Sequence, residues 1–237
     1  MVALQETKCS QEAFPESALT SLGYEIAHMG SGPRAGVCLL SRIGLDDAQF
    51  GFGGSPASPF DEPRLVAATV GGVRVVTVYA PNGKRVGTPQ WRVKLAWFEL
   101  LKIELELELA SCAAAGIELV VVGDLNVCPT LDDVYDPAKK GSRNLVSPRE
   151  RAALRAIIDL GFTDLARLLH GAQASYTWFS YMDGQFQNDR GYRLDLALAT
   201  RGISTATRRC EALRSWRDPD LHERPSDHAP LLVVCGV

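Results

Sequence analysis

The run from Ile117 to Val122 constrains the fold more than any other segment, because it is apolar apart from Glu118. Such a run is typical of a strand that is covered on both faces. The chain has 237 residues, 46% of them hydrophobic, which is enough for one domain with two layers of sheet. Strand patterns dominate both ends and helix patterns lie between them. The sequence therefore predicts the α/β class in its α+β form, a four-layer sandwich of two packed mixed β-sheets flanked by helices.

Further strands are predicted from short apolar or alternating runs. Gly71-Gly72 joins two of these runs and indicates a β-hairpin. The predicted strands are Met1–Gln5, Tyr24–Met29, Gly36–Ser41, Leu65–Val70, Val73–Tyr79, Tyr192–Ala199 and Leu231–Cys235.

The segment Trp91–Ala115 is ambiguous, because Ile103–Leu109 alternates strictly between apolar residues and glutamate. It contains no glycine or proline, is rich in strong helix formers and stops at Gly116, so we predict a helix with one glutamate near its buried face. Ser147-Pro148-Arg149-Glu150 has the form of a capping box and predicts a helix to about Leu160. A second short helix is expected over Thr163–His170.

Composition narrows the classes of function. The formal net charge of -3 argues mildly against a broad basic nucleic-acid surface, although it permits local basic groups. The six cysteines form no CxxC pair, so no zinc site is indicated. Charges interrupt every long apolar stretch, and the N-terminus has no basic segment followed by an apolar one. We therefore expect a cytoplasmic monomer with no membrane partner.

Two motifs place chemistry at the ends of apolar runs. In Gly123-Asp124-Leu125-Asn126 a carboxylate and an amide follow a buried strand, and together they suit a Mg²⁺ and phosphate site. A plain turn is the competing interpretation. In Ser226-Asp227-His228 an anionic group adjoins one that titrates near neutral pH, which is typical of metal and phosphate chemistry. The competing interpretation there is a strand cap with a surface histidine.

Other candidates are weaker when each is taken alone. Alternation in the strand after Tyr192 places Arg193 and Asp195 on one face, where they form either a site or a structural ion pair. Glu6 and Tyr79 each end a strand and are candidates for a metal ligand and a phosphate contact. Trp178 lies in an aromatic loop, and its ring can stack on bases or pack in the core.

The order of the motifs carries a resemblance that none of them carries alone. Leu4-Gln5-Glu6-Thr7-Lys8, Tyr79-Ala80-Pro81-Asn82-Gly83, the GDxN motif, Arg193-Leu194-Asp195 and Ser226-Asp227-His228-Ala229-Pro230 follow one another along the chain. This arrangement resembles the exonuclease III family of the endonuclease/exonuclease/phosphatase superfamily, from about residue 2 to the C-terminus.

The resemblance implies a role for each matched residue. It implies catalytic roles for Tyr79, Asp124, Asn126, Asp195 and His228. The implied metal ligands are Glu6, Asp124, Asn126, Asp227 and His228, with Mg²⁺ as the cofactor and Mn²⁺ as the other candidate. The implied DNA contacts are Lys8, Asn82, Trp178 and Arg193, with Trp178 lining the pocket for a flipped abasic sugar. The implied partner is double-stranded DNA with abasic sites or 3′ ends. The implied reactions are incision 5′ to an abasic site, 3′→5′ exonuclease and 3′-phosphatase activity.

Two departures from the family pattern set further expectations. The family's N-x-N-G strand upstream of LQETK is absent, so we expect 1–237 to be one domain truncated at its N-terminus relative to the family. A miscalled start is favoured over a genuinely truncated form with a damaged site and an exposed sheet edge. The family's W-x-D-Y-R continuation is replaced by Trp178-Phe179-Ser180-Tyr181-Met182, which is expected to alter DNA contacts or loop rigidity.

Two other functions remain open from the sequence. One is a phosphodiesterase of the same superfamily that acts on a lipid or a small phosphate ester. The other is a non-catalytic DNA-binding remnant, which would bind DNA without metal and without cleavage.

Overall fold

The computed structural model describes residues 1–53, 62–140 and 143–236, with the backbone alone at Lys139 and Lys140. Contacts divide the chain into two compact units. The first unit contains Met1–Ala80 and Glu99–Asp124, and the second contains Pro81–Phe98 and Leu125–Val237. The expectation of one domain over 1–237 stays a prediction.

Strands and helices of the described residues follow the predicted mixed α/β class. The strands are β1 (Val2–Gln5), β2 (Glu25–Met29), β3 (Val37–Ser41), β4 (Asp46–Phe50), β5 (Leu65–Val70), β6 (Val73–Tyr79), β7 (Glu118–Asp124), β8 (Thr163–Asp164), β9 (Asp195–Ala199), β10 (Thr207–Ala212) and β11 (Leu231–Cys235). The helices are α1 (Glu16–Ser21), α2 (Pro89–Ala115), α3 (Pro137–Lys140), α4 (Pro148–Ile158), α5 (Leu165–His170) and α6 (Arg201–Ala206).

The first unit is built from two sheets that share one core. Strands β1, β3 and β2 form an antiparallel sheet in that order, and β4, β5, β6 and β7 form neighbouring strands of another. Val37 and Leu39 of the first sheet pack with Val66 and Ala68 of the second, and all four residues are fully buried. The predicted hairpin turns at Gly71 and Gly72, which have positive φ values of 56° and 79°. Burial of such apolar side chains is the main stabilising term in a core of this kind.

The parallel pairing of β6 with β7 places the site residues of the first unit. Tyr79 lies opposite Asp124 at the carboxyl ends of these two strands. A parallel pair needs a long crossover connection, which α2 provides. Both strand ends therefore deliver their last side chains to the same edge of the sheet.

The second unit contains two antiparallel strand pairs around a short helix. β8 pairs with β9, β10 pairs with β11, and α5 packs against both β9 and β10. Cys128, Val134, Tyr192 and Leu194 form a buried cluster next to the start of β9. This packing fixes the strand that begins with Asp195.

The prediction that Trp91–Ala115 is helical is confirmed by α2. The helix ends before Gly116, whose φ of 68° suits glycine at a helix C-terminus. Two glutamates face the buried side rather than the one expected, since Glu104 is 8% and Glu108 7% exposed. Glu108 receives two hydrogen bonds from the Arg74 guanidinium, at 2.8 and 2.9 Å.

Two local expectations need correction, and two strands were not predicted. The capping box of α4 is present, but the helix ends at Ile158. Thr163–Asp164 is a short strand rather than the first turn of a helix, because the Asp164 carboxylate accepts from the Arg167 amide and caps α5. No local pattern predicts β4 or β10, because their exposed polar side chains obscure the alternation of a strand.

Within the described part of the chain, none of the helices combines the length and the apolar character that a membrane crossing requires.

Candidate active site

Asp124 is held at the end of β7 by a close approach of two strands. Its side chain is 3% exposed, and its carbonyl oxygen accepts a hydrogen bond from the Ala80 amide at 2.8 Å. Gly123 before it has a φ of 134°, and a Cβ there would lie 2.1 Å from the Val78 carbonyl oxygen. Only glycine fits this position, so the GDxN motif is required by backbone packing as well as by chemistry.

Glu6 lies between a phenol and an ammonium group in the first unit. The Tyr79 hydroxyl donates to Glu6 Oε1, and Lys8 Nζ forms an ion pair with Glu6 Oε2. Burial raises the pKa of Tyr79 well above its usual range, and the hydrogen bond to Glu6 raises it further. Tyr79 is therefore a neutral donor at physiological pH, and the structure brings together three of the predicted residues.

The donor set of the first unit suits a hard cation. Glu6 presents carboxylate oxygens on a side chain that is 34% exposed, and one of them already holds the Lys8 ammonium group. A cation is thus favoured at this carboxylate, and a metal ion would take the place of Lys8. The described residues contain no cluster of three or more His, Cys, Asp or Glu side chains around one point. Mg²⁺ usually needs only one or two carboxylates, with water and substrate phosphate as its other ligands.

In the second unit, His228 and Asp195 form a hydrogen-bonded pair. The distance from His228 Nδ1 to Asp195 Oδ2 is 2.8 Å, and the two side chains are 24% and 12% exposed. Because a carboxylate only accepts, Nδ1 carries the proton of this hydrogen bond. The Thr177 hydroxyl oxygen accepts from the amides of Leu194 and Asp195, both at 3.0 Å, and anchors the start of β9. Asp195 therefore fixes the orientation of the His228 imidazole.

Trp178 and Asp227 form a second pair beside it. The indole Nε1 donates to Asp227 Oδ2 at 2.9 Å, and the Phe179 amide donates to the Asp227 carbonyl oxygen at 2.9 Å. The Trp178 ring also packs on Tyr192, with centroids 5.4 Å apart. The aromatic loop is therefore attached to the segment that carries His228.

Asn126 and Asn82 are joined through their amides. Asn82 Nδ2 donates to Asn126 Oδ1 at 3.2 Å, and Asn126 has the left-handed φ of 50°. Lys94 holds both backbones, since its Nζ donates to the carbonyl oxygens of Asn126 at 2.7 Å and of Asn82 at 3.3 Å. The ammonium group also pairs with Glu150, and both side chains are 0% exposed. A buried ion pair therefore supports two predicted site residues.

The predicted DNA contact of Arg193 is wrong. Its side chain is 1% exposed, its Nε donates to Asp133 at 2.7 Å, and its two Nη atoms donate to Asp164 at 3.0 and 2.8 Å. Burial alone would lower the pKa of Arg193, but Asp164 and Asp133 together raise it above its usual value. Arg193 is a structural cation that fixes the start of β9, two residues before Asp195.

Sequence reasoning missed several supporting residues. Lys94 and Thr177 carry no motif, and nothing in the sequence places them near their partners. Arg64 stacks over the Tyr79 ring at 4.7 Å and donates to the Tyr79 carbonyl oxygen at 3.0 Å. Its only signal was a basic residue beside a predicted strand, which is too common to identify a site.

Comparison with known proteins decides the family. A family model described as the endonuclease/exonuclease/phosphatase family matches residues 1–228. The chain belongs to this family. It is 29% identical to exodeoxyribonuclease III of Haemophilus influenzae, over 98% of this chain and 88% of that protein.

Solved structures agree with the family assignment. The 3′ phosphatase NExo from Neisseria, bound to a product DNA hairpin, is 34% identical with a TM-score of 0.92, over 99% of this chain and 88% of that chain. An AP endonuclease from Archaeoglobus fulgidus is 33% identical with a TM-score of 0.88, over 99% and 88%. The predicted fold class, the resemblance to the exonuclease III family and the assignment as an enzyme of this family are confirmed.

Proposed function

We propose that this protein is a DNA-repair nuclease that hydrolyses DNA phosphodiesters with a bound divalent metal ion. Its reactions are incision on the 5′ side of abasic sites, 3′→5′ exonuclease action and removal of 3′ phosphates. The observation that carries the proposal is the hydrogen bond between His228 and Asp195, in a chain whose family match ends at His228. The relatives named for exodeoxyribonuclease, 3′ phosphatase and AP endonuclease activity support it.

Each candidate residue has its own part in this reaction. Asp124 orients the attacking water and accepts its proton, and Tyr79 assists near the substrate phosphate or the leaving group. Asn126 donates its amide to a phosphoryl oxygen. His228 binds the scissile phosphate, and Asp195 orients the imidazole through the hydrogen bond of 2.8 Å to Nδ1. Asp227 positions the Trp178 loop through the indole hydrogen bond.

A divalent metal ion would bind mainly to the carboxylate oxygens of the candidate residues. Glu6 and Asp124 are the principal ligands in this proposal, and Asn126, Asp227 and His228 complete the candidate set. When bound at these residues, Mg²⁺, or Mn²⁺ in its place, would supply neutralisation of phosphoryl charge and a more acidic water, an effect of several kcal/mol. The chain's own residues then orient the water, hold the phosphate and accept the proton.

The proposed partner is double-stranded DNA with abasic sites or 3′ ends. Lys8 is 54% exposed on its side chain, and Asn82 is exposed as well, so both are accessible to a DNA strand. Trp178 is half-buried and lines the pocket for the abasic sugar. We propose that the protein acts as a monomer in the cytoplasm.

The test is cleavage of a labelled duplex with one synthetic abasic site, with Mg²⁺ and then with EDTA. We expect Mg²⁺-dependent incision 5′ to the site. Asp124→Asn is expected to slow cleavage by about 10²- to 10⁴-fold and to leave duplex binding unchanged, because the amide accepts no proton from water. The matched control is Asp132→Asn, which alters an exposed carboxylate close by in the sequence.

The other two functions predict different results. Metal-dependent hydrolysis of a small phosphate ester that duplex DNA does not inhibit would identify a phosphodiesterase of another substrate class. Metal-independent, salt-dependent DNA binding by a folded sample without cleavage would identify a non-catalytic remnant.

A further inference from the structure

A cavity of about 460 Å³ opens in the second unit beside the segment that carries His228. One wall is Pro225, which directly precedes the Ser226-Asp227-His228 motif. Another is Tyr181, whose hydroxyl donates to the Pro225 carbonyl oxygen at 2.8 Å. The cavity is therefore tied to the segment that leads into the catalytic motif.

Arg217 lines this cavity with a buried guanidinium group. The residue is 2% exposed, and its Nη2 donates to the Phe179 carbonyl oxygen at 3.2 Å. Its Cζ lies 4.8 Å from the Tyr181 ring centroid and 5.3 Å from that of Phe186. Its Nε is buried without a hydrogen-bond partner. Aromatic faces stabilise a cation in part, but they do not neutralise it.

Arg217 differs in this respect from the other buried cations of the described residues. Arg74 pairs with Glu108, Lys94 with Glu150, and Arg193 with two aspartates. Among the residues that the structure describes, none offers Arg217 a carboxylate partner. A buried charge is costly unless it is paired. The contrast indicates that the counterion of Arg217 comes from outside the chain.

A second cationic side chain, that of Arg224, also lines the cavity. Arg224 is exposed and makes no ion pair with any residue that the structure describes. His222 stacks on Trp216, with ring centroids 5.5 Å apart, which fixes the imidazole at the wall. Glu223 is the single acidic residue of the lining, and its exposed position weakens its repulsion of an anion through solvent screening.

We propose that this cavity binds a phosphate group of the bound DNA, one other than the phosphate that is cleaved. A guanidinium fork matches the geometry of phosphate oxygens, and the arginine charge supplies the missing ion pair. Tyr181 and Pro225 give the adjoining sugar an apolar wall. The inference rests on the proposed function, since it takes DNA as the ligand.

A scan with methylphosphonate linkages tests it, because each linkage removes the charge of one phosphate. Binding of abasic duplexes carrying one such linkage is measured by fluorescence anisotropy in EDTA, for the wild type and for Arg217→Met. At one backbone position we expect the linkage to weaken wild-type binding by about tenfold and to leave the variant unchanged. The slope of log Kobs against log[salt] should fall in magnitude by about one in the variant.

Three further variants make the scan decisive. Arg155→Met removes an exposed arginine of α4 that pairs with Asp159, and it should keep the wild-type scan. Arg224→Gln should lose sensitivity at the same linkage as Arg217→Met, and it replaces that variant if circular dichroism shows that Arg217→Met is unfolded. Glu223→Gln should tighten binding, because it removes the acidic group of the cavity.

The outcomes separate this inference from the proposed function. If Arg217→Met and Arg224→Gln both give the same methylphosphonate scan as the wild type, the phosphate site is overturned. Normal incision in that case would leave the nuclease assignment in place. A position-specific effect without any incision would support the phosphate site and overturn the nuclease assignment. Failure of the folded wild type to bind duplex DNA would overturn both.

Discussion

At the scale of single residues, the pair of His228 and Asp195 is the feature on which catalysis depends most. Asp195→Asn keeps the shape of the side chain but replaces the carboxylate that accepts the Nδ1 hydrogen bond and orients the imidazole. We expect kcat on an abasic duplex to fall by about 10²- to 10³-fold, with a smaller change in KM. Steady-state kinetics would show this split, and Asp189→Asn, which alters an exposed carboxylate of the same unit, is the control.

The double variant Asp195→Asn, His228→Gln tests whether the two residues act together. If Asp195 works only through His228, the double variant is no slower than His228→Gln alone, because coupled residues are not additive. Losses that multiply would show that Asp195 has a separate role and would contradict the assignment.

The sequence motifs supply the candidate residues of the site, but they do not reveal the partners of those residues. The types and order of Glu6, Asp124 and His228 identify the chemistry without any coordinates. The partner of His228 lies 33 positions away, and that of the Trp178 indole 49 positions away. Arg193 was misassigned because alternation places it on the face of Asp195, whereas its burial depends on Asp133 and Asp164 from distant segments.

At the scale of secondary-structure elements, the buried ion pair of Lys94 and Glu150 joins the second turn of α2 and the first turn of α4 to the site asparagines. Lys94→Met leaves Glu150 as an unpaired buried charge, so we expect unfolding to become easier by about 3–5 kcal/mol. It also removes the hydrogen bonds to the carbonyl oxygens of Asn126 and Asn82. Urea unfolding and kcat on the abasic duplex are measured together.

A second variant distinguishes positioning from stability. Lys94→Met with Glu150→Gln removes both charges, and it should recover most of the lost stability. If Lys94 positions the asparagines, kcat stays low in this double variant. Recovery of kcat along with stability would mean that the ion pair only holds the fold.

The sequence pattern correctly predicted the long helix α2, but it did not reveal the polar strand β10. The composition of α2 outweighed the alternation of Ile103–Leu109, because the segment Trp91–Ala115 contains no glycine or proline and is rich in helix formers. β10 reads Thr-Arg-Arg-Cys-Glu-Ala, and its only fully buried side chain is Cys210. Its strand conformation comes from pairing with β11, which a local pattern does not reveal.

At the scale of the whole molecule, buried thiols and phenols set the alkaline limit of stability. Burial raises the pKa of Cys38 and Cys210 to about 12, that of Tyr192 to about 12, and that of Cys128 above its usual range. All three cysteines are 0% exposed, and they lie in both units. In the unfolded chain, thiols lose their protons near pH 8.5.

Because the pKa values of these buried groups are raised, the protein loses stability as the pH rises. The raised pKa values give stability that is fully present below about pH 8.5 and is lost as the pH rises toward about 12, because the unfolded state then binds fewer protons. Each thiol lowers the free energy of unfolding by about 1.4 kcal/mol per pH unit. Three thiols remove about 4 kcal/mol per unit, which is comparable with the total stability of about 5–15 kcal/mol of a domain.

We therefore expect the protein to unfold between about pH 9 and about pH 12. Urea unfolding under reducing conditions at several pH values between about 8 and 10 measures the slope. Cys210→Ala should be less stable at the lowest pH, because it leaves a small cavity, and should have a slope about one third flatter. A free energy of unfolding that does not change over this range would mean that the thiols ionise inside the folded protein. Their complete burial argues against that, because a thiolate without water or a cation beside it is strongly disfavoured.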